Sequence, residues 1–127
     1  MLRRRSTRAA LLVLVAVAGL AAVAYSRQET GESRSFHVVA RKYAYSEPRI
    51  EVRQNDLVKI TLEAADIPHS FTIDEPYRIA KRAAPGHPVV FEFRADKVGA
   101  FEFYCSLKTD DGCRSMKGQL VVTARSR

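Results

Sequence analysis

The chain has only two cysteines, Cys105 and Cys113, with seven residues between them, and Met116 follows three positions after the second. Far upstream, His69 opens the run His69-Ser70-Phe71-Thr72-Ile73, where it shares the apolar side with Phe71 and Ile73. Thiolate, imidazole and thioether are the soft donors that hold copper, and His69, Cys105, Cys113 and Met116 supply those donor types. Two other fates are open to the same residues. Two cysteines in an exported chain pair readily as a disulfide, here a short loop from Cys105 to Cys113. Zinc accepts two thiolates and an imidazole, although Met is a poor ligand for it. Each residue also has a plain reading: a histidine on an apolar strand face is most often a hydrogen-bonded core residue, and a methionine is most often core filler.

Other clusters offer less. Asp110-Asp111-Gly112 lies between the cysteines and reads as a polar turn rather than a set of hard oxygen donors. His87 sits in the loop Gly86-His87-Pro88, and His37 points to the side opposite Phe36 and Val38. Arg78, Lys81 and Arg82 make either a solvated face or a docking patch for an acidic redox partner. No paired-carboxylate centre, nucleophile elbow or Gly-rich phosphate loop is present as a motif, so the chain is expected to be no enzyme. Nucleic-acid binding would need a basic stripe with exposed aromatics, and the aromatics here fall mostly on inward positions.

The elements that must position these donors are short strands. Apolar residues recur at every second position in Phe36-Val38-Ala40, Val58-Ile60-Leu62, His69-Phe71-Ile73, Val89-Phe91-Phe93, Phe101-Phe103-Cys105 and Leu120-Val122. With Ile50–Arg53 these make seven strands. Tyr43 and Tyr45 continue the first run one residue out of phase, and a bulge at Arg41-Lys42 would bring all five residues to the core side. Gln54-Asn55-Asp56 reads as a hairpin turn between Ile50–Arg53 and Leu57–Leu62. Residues 75–88 carry no clear period. Seven strands with one apolar face each predict an all-β domain, a small β-sandwich of two antiparallel sheets.

The chain of 127 residues allows one domain. Its net charge of +7 is concentrated at the front: setting aside Arg3, Arg4, Arg5 and Arg8 leaves 17 of the 21 basic residues against 14 acidic ones, a mild +3. After the four arginines come 17 uncharged, mostly apolar residues, 9–25, ending near the small-x-small triplet Ala22-Val23-Ala24. This is the pattern of an export signal. As an uncleaved helix the segment would rise about 26 Å against a hydrocarbon core of about 30 Å, so a membrane anchor is the other outcome. The expected plan is a signal peptide or anchor at 1–24, a flexible linker at 25–35 without large apolar side chains, and a folded domain at 36–127 outside the inner membrane, in the periplasm where one exists.

Three stretches resemble the cupredoxins: Asp66-Ile67-Pro68-His69-Ser70-Phe71, Val98-Gly99-Ala100-Phe101-Glu102-Phe103-Tyr104-Cys105-Ser106 and Met116-Lys117-Gly118-Gln119-Leu120-Val121-Val122. The last two flank the ligand loop as in the binuclear-copper (CuA-type) domain of cytochrome c oxidase subunit II and of nitrous oxide reductase. The resemblance covers residues 36–124 and implies a Greek-key sandwich and electron transfer. The family loop runs Cys-x3-Cys-x3-His-x2-Met, and this chain keeps its length while departing at two places. Thr109 stands at the second bridging thiolate, so a two-copper cluster is not expected. Cys113 stands at the second histidine, so the His2Cys blue-copper set is incomplete. The resemblance thus implies a single copper at His69, Cys105, Cys113 and Met116, with Tyr104 and Met116 near the exposed edge. Two further readings stay open: a Cu(I) carrier or storage module serving oxidase assembly or copper resistance, and a metal-free interaction domain locked by Cys105–Cys113. The partner, a redox protein or a copper-delivery protein, is not specified by either.

Overall fold

The computed structural model describes residues 31–108 and 110–125. The signal or anchor segment, most of the linker and Thr109 lie outside the described residues. Nine strands form two sheets. They are β1 (Ser33–Arg41), β2 (Ala44–Tyr45), β3 (Arg49–Arg53), β4 (Leu57–Ala64), β5 (His69–Ile73), β6 (Ile79–Ala83), β7 (Val89–Arg94), β8 (Gly99–Tyr104) and β9 (Lys117–Thr123). The sheets are ordered β2-β1-β4-β7 and β3-β9-β8-β5-β6. Among the described residues the one helical element is a 3-10 turn at Asp111–Ser115. None of their helices is long and apolar enough to cross a membrane.

Alternation makes the inner faces of β3, β4 and β9, while β5 is buried at every residue. In β4 the residues Val58, Ile60, Leu62 and Ala64 are buried while Lys59 and Glu63 are exposed. This face meets Phe71, Ile73, Phe103, Leu120 and Val122 of the second sheet. At the centre Phe71 stacks on Phe103 with ring centroids 4.5 Å apart, and Tyr45 meets Phe103 edge-on at 5.1 Å. Phe103 comes close because Gly118 is its cross-strand partner: a Cβ at Gly118 would stand 2.1 Å from the ring.

Several expectations are corrected. The sheets are mixed rather than antiparallel, since β1 pairs with β4 and β3 with β9 in parallel. The Gln54-Asn55-Asp56 turn is present, but it joins β3 and β4 across the two sheets and is not a hairpin. Asn55 takes the left-handed conformation, φ 69°, which Asn tolerates. The buried Asp56 then ties the turn by accepting from the N–H groups of Glu32 and Arg53, each at 2.9 Å. The phase slip at Arg41-Lys42 is a chain reversal, not a bulge. β1 and β2 pair antiparallel with Ala40 opposite Tyr45, so residues of opposite parity share a face. Tyr45 is therefore buried, while Tyr43 stands at the turn, 45% exposed. The unassigned stretch supplies β6, an edge strand on β5. β1 begins at Ser33, inside the expected linker; Ser33, Arg34 and Ser35 add backbone pairing with β4 but no buried side chain.

Candidate functional site

His69 opens β5 directly after Pro68, Cys105 follows the last residue of β8, Cys113 lies in the 3-10 turn, and Met116 precedes β9. β8 and β9 are antiparallel neighbours with Tyr104 opposite Lys117, so the ligand loop leaves and re-enters the sheet at adjacent points. Cys105 N–H donates to Met116 O at 3.3 Å, and Met116 N–H donates to Cys113 O at 3.1 Å. These bonds fold the end of the loop inward, and Met116 is 1% exposed rather than at an edge. Tyr104 is half-buried, its hydroxyl donating to Asp74 at 2.9 Å.

A ring nitrogen of His69 and the sulfurs of Cys105 and Cys113 lie within 4.8 Å of one another, all three residues buried. In the structure Cys105 and Cys113 are joined as a disulfide, with Cα atoms 5.3 Å apart. His69 itself is fully buried. Its Nε2 is 2.8 Å from Asp66 Oδ1, and its Nδ1 has no hydrogen-bond partner. Asp66 also accepts from Lys42 N–H at 2.7 Å and Ile67 N–H at 2.7 Å. Burial pushes its carboxyl up, but the hydrogen bonds from Lys42, His69 and Ile67 outweigh this and hold it at about 2. In the tautomer whose Nε2–H donates to this carboxylate, the ring's lone pair is on Nδ1.

Around Cys105 the backbone and three hydroxyls are interlocked. Ser70 N–H donates to Cys105 Sγ at 3.4 Å, and Ser106 N–H donates to Ser70 Oγ at 2.7 Å. The hydroxyls of Ser70, Thr72 and Ser106 lie 2.9 to 3.3 Å apart. The antiparallel register with Thr72 opposite Tyr104 brings Ser70 to Ser106, since Ser70 lies two residues before Thr72 and Ser106 two after Tyr104. On the other side, Tyr43 donates its hydroxyl to Asp110 Oδ2 at 3.1 Å and lays its ring on Gly112, where a Cβ would be 2.2 Å away. Asp110 in turn accepts from Gly112 N–H at 2.8 Å and opens the turn carrying Cys113.

The residues present fit a soft ion in one redox form. A ring nitrogen of His69 lies within 4.8 Å of two sulfurs, Nδ1 of the same ring has no hydrogen-bond partner, and Met116 is buried on the same loop. As a disulfide the sulfurs are not thiolate donors, so metal binding requires two-electron reduction first. His37 is exposed and bonds Glu63 at 2.9 Å, and His87 is exposed in its loop. Asp66, Ser70, Ser106 and Tyr43 also belong to the site, although none of them is a soft donor. Asp66 has one local signal, its place three residues before His69; the others meet the site only through sheet register.

A family model described as a cupredoxin-like domain matches residues 10–122. No curated protein matches the chain. Among solved structures, a heme-copper terminal oxidase dimer matches with TM-score 0.62 and 18% identity, covering 87% of this chain and 86% of that one. The periplasmic domain of subunit II of cytochrome oxidase (CoxB) from Bradyrhizobium japonicum matches with TM-score 0.62 and 16% identity, over 71% and 83% of the two chains. A third structure is the mixed disulfide intermediate between a thioredoxin-like protein and subunit II of cytochrome c oxidase, with TM-score 0.59, 18% identity and coverage of 71% and 81%. These likenesses concern the fold. Together with the sandwich and its loop between β8 and β9, the family match over most of the chain places this protein in the cupredoxin-like domain family.

Proposed function

We propose that this is an exported copper protein that passes single electrons through one ion held by His69, Cys105, Cys113 and Met116, and that it has no substrate chemistry of its own. The observation that carries the reading is the buried His69 side chain, with one ring nitrogen within 4.8 Å of the sulfurs of Cys105 and Cys113, Nδ1 without a partner and Nε2 held by Asp66. An unsatisfied buried polar atom costs about 1–3 kcal/mol, and a soft ion in a thiolate, thioether and imidazole set removes that cost. Copper, when bound, would supply one-electron Cu(II)/Cu(I) chemistry. The chain's own share is positional: Asp66 orients the ring, Ser70 N–H draws charge from the Cys105 sulfur, and the sandwich keeps water from the donors.

Delivery outside the inner membrane, by a cleaved signal or with a tether through residues 9–25, follows from the front of the chain, and the likeness to a domain described as periplasmic supports it. A partner must also supply two electrons to open Cys105–Cys113 before loading. The likeness to a subunit II captured in a mixed disulfide with a thioredoxin-like protein supports a thiol donor in that role.

The test is a copper titration of the reduced, anaerobic full chain. One tightly held copper is expected, lost in Cys105→Ser and Cys113→Ser and weakened in Met116→Leu, with a thiolate charge-transfer band in the oxidised form. Stoichiometric binding that survives only as Cu(I) would redirect the reading to a carrier, and absence of binding would overturn it. The disulfide favours a second reading, a metal-free interaction domain locked by Cys105–Cys113. Protein taken from cells with both thiols paired, no metal and no copper uptake after reduction would establish that one.

A further inference from the structure

We propose that the loop-side end of the outer face of β6-β5-β8-β9 is a docking surface for a protein partner with an acidic patch. Register places the groups that make it. Ser70 stands opposite Arg82, Thr72 opposite Tyr104, and Tyr104 opposite Lys117. Directly paired residues share a face, so Arg82, Ser70, Thr72, Tyr104 and Lys117 lie on the side of the sheet away from Phe71 and Phe103. Ser106 joins them through its hydroxyl, 3.1 Å from that of Ser70, and lines a cleft with Lys108, Arg114 and Lys117. β5 begins with His69, β8 ends just before Cys105, and β9 begins just after Met116. The row Arg82, Ser70, Ser106 is therefore the one beside the candidate site. Lys108 and Arg114 belong to the ligand loop itself.

Charge is sorted along these strands. Arg82, Lys108 and Arg114 are exposed and form no ion pair among the described residues. The two acids of the cleft, Asp74 and Glu102, stand four strand positions from Ser70 and Ser106. At about 3.3 Å per residue this is about 13 Å, beyond the Debye length of about 8 Å at physiological ionic strength. Both acids are also engaged, Asp74 accepting from the Tyr104 hydroxyl at 2.9 Å and Glu102 facing Lys117 at 3.7 Å. The loop-side end is left positive. From Arg82 on β6 to Lys117 on β9 the cations cross three strand spacings, about 14 Å at about 4.8 Å each. That breadth exceeds one small anion and suits carboxylates spread over a protein surface. Of the basic cluster Arg78, Lys81 and Arg82, only Arg82 contributes: Arg78 is bound to Glu75 at 2.6 Å, and Lys81, opposite Phe71, has the other parity. Opposite charge on a partner would speed encounter and fix its orientation over the loop that carries Cys105, Cys113 and Met116. The inference names the charge of the partner that the reading above requires, and rests on that reading only for what passes between the two.

The test titrates the metal-free, ¹⁵N-labelled full chain with poly-L-glutamate, a surrogate for an acidic protein surface, and follows amide shifts residue by residue. Resolution by residue separates this face from the arginines at the front of the chain. Within the domain the largest shifts are expected at Arg82, Ser106, Lys108, Arg114 and Lys117, fading at about 0.5 M salt. Arg114→Glu and Lys59→Glu change the net charge equally, but Lys59 is exposed on the outer face of the other sheet. Affinity should fall about fivefold in the first and stay within about twofold in the second. Shifts spread evenly over the exposed cations of the domain, equal losses in the two variants, or insensitivity to salt would each overturn the proposal. Inorganic phosphate is titrated separately. Saturable shifts with phosphate at Lys108, Arg114 and Lys117, with Arg82 unmoved by either ligand, would make the cleft a small-anion pocket and overturn the docking surface. The shift map of the parent chain stands even if a variant folds poorly. No metal enters the assay, so its failure and a failure of copper binding are separate results.

Discussion

His69 meets a carboxylate with Nε2 and no polar atom with Nδ1, so substitutions around it divide by which nitrogen they touch. Asp66 acts on the first. Its carboxyl sits at about 2, below the ordinary 3.8, so the fold favours the ionised form. Its contribution to stability is complete above the ordinary value and is lost as pH falls toward the lowered one. Urea midpoints of the parent chain should therefore drop across about pH 4 to 2 more steeply than those of Asp66→Asn. Parallel profiles would mean that Asp66 is not held in this way. Position 113 acts on the sulfur side: Cys113→His restores the second imidazole of a His2Cys set with Met116 behind it. With copper that variant should become intensely blue in visible absorption, and a colourless, copper-free variant would count against the place of Cys113 in the site.

Two glycines show how the elements, rather than the residue type, set the cost of a change. A Cβ at Gly118 would stand 2.1 Å from the Phe103 ring, and one at Gly112 would stand 2.2 Å from the Tyr43 ring. Phe103 is wholly buried between Phe71 and Tyr45, so its ring has nowhere to move. Tyr43, 45% exposed on the β1–β2 turn, can swing into solvent at the loss of one hydrogen bond to Asp110. Gly118→Ala should destabilise by about 1–3 kcal/mol, as overpacking does, and Gly112→Ala by less than about 1 kcal/mol. Denaturant unfolding of the two variants side by side checks the ranking. Comparable losses would show that Tyr43 is fixed as firmly as Phe103.

Over the whole molecule the Cys105–Cys113 bond closes a short loop, eight residues apart in sequence, so its entropic effect on the unfolded chain is modest. The Cys105→Ser/Cys113→Ser chain should fold to the same sandwich and lose about 2–3 kcal/mol in urea unfolding. An unfolded double variant would mean that the disulfide does more than close a loop. The nine-strand sandwich otherwise rests on the aromatic stack and the alternating faces, with which Cys105, Cys113 and Met116 share one core.

The period-two alternation from Phe36 to Val122 determined by itself that the chain is a two-layer β-sandwich and most of the residues that face inward, though not Tyr43, because side-chain parity is local. The spacing of Cys105, Cys113 and Met116, with His69 on an earlier strand, likewise marked out the soft donors, and the structure gathers His69 and both cysteines. Alternation does not say which strand lies beside which. The parallel pairs β1–β4 and β3–β9, the crossing of the Gln54-Asn55-Asp56 turn between sheets, and the reversal that exposes Tyr43 are non-local choices made when the two faces close on each other. The same closure decided that Asp66 takes Nε2 of His69 and that Nδ1 is left buried without a partner. Those contacts join residues three to dozens of positions apart through hydrogen-bond geometry and burial, which residue spacing does not encode.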